Sequence, residues 1–162
     1  MVINGTMADA LNLQIKAELD SAYLYLSMAA WLESSGWTGA AHWMKKQSDE
    51  EHEHAMRIFN YLISRGGKVQ LEALDAPENK WRDLQHVFKD SLEHERLVTS
   101  KINHLVDQAL STKEYATLEF LHWFIKEQVE EEEGVSTILT QLEKTGSDAS
   151  ALMLLDQCLG KR

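Results

Sequence analysis

A chain of 162 residues with 26 acidic and 16 basic side chains carries a formal net charge of -10, which disfavours a nucleic-acid or other phosphate-binding surface and suits the attraction of cations. One proline, eight glycines and plentiful Leu, Ala, Glu and Lys favour long helices over an all-β domain, within one domain spanning residues 1–162. The single cysteine, Cys158, excludes an internal disulfide framework, a zinc ribbon and a Cys-x-x-Cys centre; no signal peptide or membrane-length apolar run is recognisable, so a soluble cytoplasmic protein is expected.

Helical periodicity predicts a first helix from about Thr6 to Glu33, stopped by Ser34-Ser35-Gly36, and a second from about Thr38 to Ser64, stopped by Gly66-Gly67. The short link makes them antiparallel neighbours. Lys68 to Asn79 contains Pro77 and lacks an apolar stripe, so it reads as an extended connection of about a dozen residues, long enough to cross a bundle. A third helix is expected from about Lys80 to Leu110 and a fourth from about Lys113 to Lys144, again antiparallel. Ser147-Asp148 then caps a short fifth segment with Leu152, Leu155 and Leu159 on one side. Two hairpins joined by one long crossover define an all-α, ferritin-like four-helix bundle with a short C-terminal fifth helix.

Alternating steps of four and three trace one inward seam per helix: Leu11, Ile15, Glu18, Ala22, Tyr25, Ala29 and Leu32 on the first; Ala40, Met44, Gln47, Glu51, His54, Ile58 and Tyr61 on the second. The third gives Phe88, Ser91, Glu95, Val98, Ile102, Leu105 and Ala109, and the fourth gives Leu121, Phe124, Gln128, Glu131, Val135, Ile138 and Leu142. Taken singly, each polar member has an ordinary reading: a solvated helix acid for Glu18 or Glu95, a core or surface histidine for His54, packing for Tyr25, a charged face for Glu130 to Glu133. Together they direct one carboxylate from every helix toward the bundle axis. Several unpaired buried carboxylates would cost several kcal/mol each unless a cation compensates them, and carboxylates with imidazole suit iron or manganese.

The stretches Ala17-Glu18-Leu19-Asp20-Ser21-Ala22-Tyr23-Leu24-Tyr25-Leu26, Glu50-Glu51-His52-Glu53-His54-Ala55 and Trp123-Phe124-Ile125-Lys126-Glu127-Gln128-Val129-Glu130-Glu131 resemble the first-, second- and fourth-helix signatures of the bacterial-type non-haem ferritins. The resemblance implies a ferroxidase that oxidises Fe(II) with dioxygen or hydrogen peroxide at a di-iron centre and stores a ferric oxyhydroxide mineral in a hollow cage of twenty-four identical subunits. It implies a first iron held by Glu18, Glu51 and His54, and a second bridged by Glu51 and held by Glu95, with Gln128 and Glu131 close by. Tyr25 would supply a hydrogen bond or an electron. A third iron position would use Glu50, Glu127 and Glu130, with Glu131 as a further candidate. The haem-binding methionine of bacterioferritins would fall at His52, so no haem is expected. The acidic threefold-channel pair of animal ferritins would fall at Leu118 and Leu121. A rubrerythrin-like peroxidase would need absent Cys-x-x-Cys pairs, and a DNA-protecting small cage would take its ligands across a subunit interface.

Overall fold

In the computed structural model, which describes residues 2–162, the chain forms five helices: α1 (Gly5–Ser34), α2 (Thr38–Ser64), α3 (Leu84–Ser111), α4 (Tyr115–Thr145) and α5 (Ala149–Leu159). Asn4 opens α1 by accepting the amide protons of Thr6 and Met7, while Asp83 and Asp148 cap α3 and α5 in the same manner. Two starts differ from the sequence-based expectation. α3 begins at Leu84 instead of near Lys80 because Asp83, three residues before the amide it receives from His86, is the cap. α4 begins at Tyr115 because Lys113 turns through the left-handed region, at φ 57°, between the two helices.

α1 packs on α2 and α3 on α4, and residues 65–83 cross between these hairpins. The crossover is laid along α1. The Asn12 side chain donates to the Lys68 carbonyl at 2.9 Å and accepts from the Gln70 amide at 2.8 Å, and farther up α1 the Ser27 hydroxyl donates to the Glu78 carbonyl at 2.6 Å. Trp81 then donates to Asp90 at 2.9 Å. The chain is thereby returned to the end where α1 finished, so α3 runs parallel to α2.

Apolar side chains fill the bundle as two clusters. One contains Met28, Leu32, Met44, Phe88, Val135 and Leu139; the other contains Met7, Leu11, Ile15, Ile58, Ile102 and Phe124. Each large side chain fully buried there contributes about 1.5–3 kcal/mol relative to exposure. Between the clusters lies a polar layer.

α5 closes one end of the bundle through a contact that supplies what α2 lacks. Trp37, which precedes α2, makes no capping bond, and Asp156 of α5 takes its place, accepting from the amides of Gly39 at 3.1 Å and Ala40 at 2.8 Å. A carboxylate there also meets the positive end of the helix dipole. Only glycine fits at position 39, because a Cβ would fall 1.8 Å from the Asp156 carbonyl oxygen.

Candidate metal centre

Each of the four long helices delivers one carboxylate to the layer between the two apolar clusters. Glu18 is 1% exposed, Glu51 and Glu95 are 0%, and Glu131 is 8%, values that ordinary solvated acids do not reach. Tyr25, Gln47, His54 and Gln128 are buried beside them. The helix pitch explains the grouping: Glu51 and His54 lie one turn apart on α2, as Gln128 and Glu131 do on α4.

Ligand atoms of Glu18, Glu51 and His54 lie within 4.8 Å of one another, and those of His54, Glu127 and Glu131 form a second group by the same measure. His54 stands between them, with Nδ1 3.5 Å from Glu51 Oε2 and Nε2 3.9 Å from Glu127 Oε1. Its ring is held edge-on by Trp123 and Phe124, with centroids 5.3 and 6.1 Å away. Glu95 accepts hydrogen bonds from the Tyr25 hydroxyl and from Gln128 Nε2, the latter at 3.2 Å. Glu18 accepts from Gln14 at 2.8 Å, and Glu131 accepts from Gln47.

Glu18 Oε2 and both oxygens of Glu51 are buried and receive no hydrogen bond. Among the described residues, no lysine or arginine ion-pairs with Glu18, Glu51, Glu95 or Glu131. Buried oxygens left in this state are expensive unless protonated or bound to a cation. They therefore fit a hard or borderline metal ion, for which carboxylate oxygens and an imidazole nitrogen are suitable donors.

Proton affinities carry the same imprint. Burial, reinforced by the charge of Glu51, holds the Glu18 carboxyl well above the usual range, and burial with the charge of Glu95 does the same to Glu51. Burial raises Glu95 against the opposing hydrogen bonds of Tyr25 and Gln128. Glu131 is pushed up to about 7, by burial first and then by Glu95. The Tyr25 hydroxyl is raised well above its ordinary value by burial and by the charges of Glu95 and Glu51, so it stays protonated and donates to Glu95.

The residues of the expected third position are divided. Glu127 faces His54 and Glu131, but Glu50 and Glu130 belong to neither group of close ligand atoms. Glu130 is exposed, in a cleft shared with Trp43, Lys161 and Arg162. Glu50 instead ion-pairs with Arg162 at 2.5 Å. Gln14 and Gln47 join the site beyond the residues expected from the sequence, as donors to Glu18 and Glu131. The i, i+4 spacing of Gln14 and Glu18 was a usable signal, and Gln47 already stood in the α2 seam.

A bundle of this topology, with a carboxylate from each long helix and an imidazole enclosed between two apolar clusters, defines a helical-bundle protein whose interior could hold a metal ion. Residues 8–145 match the family model of the ferritin-like domain. The chain is 40% identical to the bacterial non-heme ferritin of Bacteroides fragilis, over 99% of this chain and 100% of that one. It is 36% identical to a probable bacterial non-heme ferritin-like protein of Haemophilus influenzae, over 98% and 96% of the two chains. The crystal structure of an open pore ferritin from Archaeoglobus fulgidus superposes with a TM-score of 0.98 at 44% identity, covering 99% of each chain. The chain belongs to the ferritin family.

Proposed function

We propose that this protein stores iron: a single domain spanning residues 1–162 oxidises Fe(II) in its buried carboxylate layer and, assembled as a hollow cage of twenty-four copies in the cytoplasm, retains the product as a ferric oxyhydroxide mineral. The observation that carries this reading is the set of buried Glu18 and Glu51 oxygens with no hydrogen-bond partner, beside His54, in a chain of the ferritin family. Among the described residues, no helix is long and apolar enough to cross a membrane.

Iron is the substrate. Glu18, Glu51 and His54 hold the first ferrous ion. Glu51 bridges to a second held by Glu95, with Glu131 and Gln128 alongside. Carboxylates stabilise the ferric more than the ferrous state, which makes each ion a better reductant, and two ions together give two electrons to dioxygen or hydrogen peroxide. His54 contributes a neutral nitrogen. Tyr25, whose hydroxyl already donates to Glu95, keeps that carboxylate oriented and stands within reach to donate a proton or an electron as oxygen is reduced. A third iron position draws on Glu127, adjacent to both His54 and Glu131, together with Glu50 and Glu130, with Glu131 as a further candidate.

Storage differs from simple turnover in what stays with the protein. Aerobic loading with ferrous ammonium sulfate, followed by gel filtration with light scattering and iron analysis of the protein peak, is expected to give a large particle retaining far more iron per subunit than its nine candidate ligands can bind. A particle that consumes oxygen but elutes with only a few iron atoms per subunit contradicts storage and leaves a soluble oxidase.

A further inference from the structure

The segment after α5 sends one arginine back over the rim of the acidic layer. Arg162 Nη1 donates to Gln47 Oε1 at 2.7 Å, Nη2 to Glu50 Oε2 at 2.5 Å, and the guanidinium lies 4.4 Å from the centroid of the Trp43 ring. The backbone carbonyl of the same residue meets His42 Nε2 at 3.1 Å. An exposed arginine-glutamate pair alone is worth little, but here three side chains and one backbone contact fix a single planar group, and one of its acceptors, Gln47, is completely buried.

The contact to Gln47 has a directional consequence. A guanidinium only donates, so the oxygen of the Gln47 amide must face Arg162 and its NH2 must face inward, where it donates to Glu131. Arg162 is thereby linked through one amide to an acid of the buried layer, while it pairs directly with Glu50. It occupies the ground that a further cation would need, and Glu130 opens onto the same cleft.

We propose that Arg162 is a tethered cation at the outer edge of the acid cluster: it competes with a metal ion for Glu50 and, through Gln47, acts as a positioning residue for Glu131. The inference rests on the buried layer being the iron site. A metal ion arriving beside Glu50 must displace the guanidinium, so Arg162 weakens that outer position and leaves the inner pair to fill first. Its removal frees Glu50 and leaves the Gln47 amide oxygen, which already faces outward, available to the outer cation.

The test uses the assembled, metal-free protein titrated with Zn(II) by calorimetry, for wild type, Arg162→Gln and Arg162→Lys. Asp156 and Leu159 dock α5 independently of Arg162, and light scattering on each variant checks that assembly is intact. Wild type should show a tight class of sites and a weaker outer one. In Arg162→Gln the outer class should tighten by about tenfold, and in Arg162→Lys, which keeps the charge but loses the planar fork, by less. Adding Glu50→Gln to Arg162→Gln should abolish the gain. An outer class that is unchanged or weaker in Arg162→Gln overturns the proposal. Absence of the tight class from wild type instead overturns the reading of the buried layer, and the two failures are distinguished within one titration series.

Discussion

Replacing Glu51 with Gln and His54 with Ala together should abolish rapid Fe(II) oxidation, lowering its initial rate by about a hundredfold or more, while the protein still folds and assembles. The rate follows from chemistry: the change removes the carboxylate placed to bridge two ions and the only imidazole in either group of close ligand atoms. The intact fold follows from what Glu51 does in the absence of metal. Both of its oxygens are buried without a partner, and its carboxyl is held well above the usual range by burial and by Glu95. An uncharged amide of the same shape relieves that repulsion, and the gain matches or exceeds the cost of the cavity left where the His54 ring packs against Trp123 and Phe124. Thermal stability of the metal-free variant should therefore equal or exceed that of wild type. Stopped-flow absorbance after ferrous addition, with light scattering on the same sample, separates the two effects; wild-type rates from an intact double variant would remove these residues from the reaction.

The same buried acids should make stability fall as pH rises when no metal is bound. A carboxyl whose folded-state pKa lies above its unfolded value is favoured in the fold below the unfolded value, near 4.5, and loses that advantage as pH climbs through the folded one. For Glu131 the window runs from about 4.5 to about 7, and Glu18, Glu51 and Glu95 are raised as well. His94 works in the opposite sense. Burial, followed by the charge of Lys101, lowers it to about 4, so it destabilises the fold as pH falls from about 6.5. Four acids outweigh one imidazole. Urea midpoints of metal-free protein, at constant protein concentration, should rise on going from pH 8 to pH 5.5 by the equivalent of a few kcal/mol. Saturating Zn(II) should reverse the trend, because metal binding expels the protons these acids hold and so strengthens with pH. A metal-free protein that gains stability between pH 5.5 and 8 contradicts the electrostatic account of the layer.

The long helices and their inward faces were legible because burial in a bundle repeats every three to four residues, and the seam positions of α3 and α4 are all buried as the periodicity requires. The acids stood out for the same reason: Glu18, Glu51, Glu95 and Glu131 interrupt otherwise apolar or small stripes. Periodicity is less decisive beside a polar layer. Ala22 and Tyr61 are only partly buried, and Ser21, outside the α1 seam, takes an interior place where its hydroxyl bonds the Ala17 carbonyl and meets His94 Nε2 at 2.7 Å. What the sequence could not reveal were contacts between residues far apart in the chain. Nothing local says that Asp156 caps α2, that Gly39 clears space for a carbonyl on α5, or that Arg162 reaches Gln47 and Glu50. These depend on where α5 lands, which is decided by packing at the end of the bundle.

Whether the buried layer binds iron is decided by anomalous X-ray scattering. Crystals of metal-free protein, soaked anaerobically with Fe(II) and measured on both sides of the iron absorption edge, should show two peaks per subunit flanking the Glu51 carboxylate, one beside Glu18 and His54 and the other beside Glu95. Iron confined to exposed acids, with no anomalous signal in the layer between the two apolar clusters, would contradict the account.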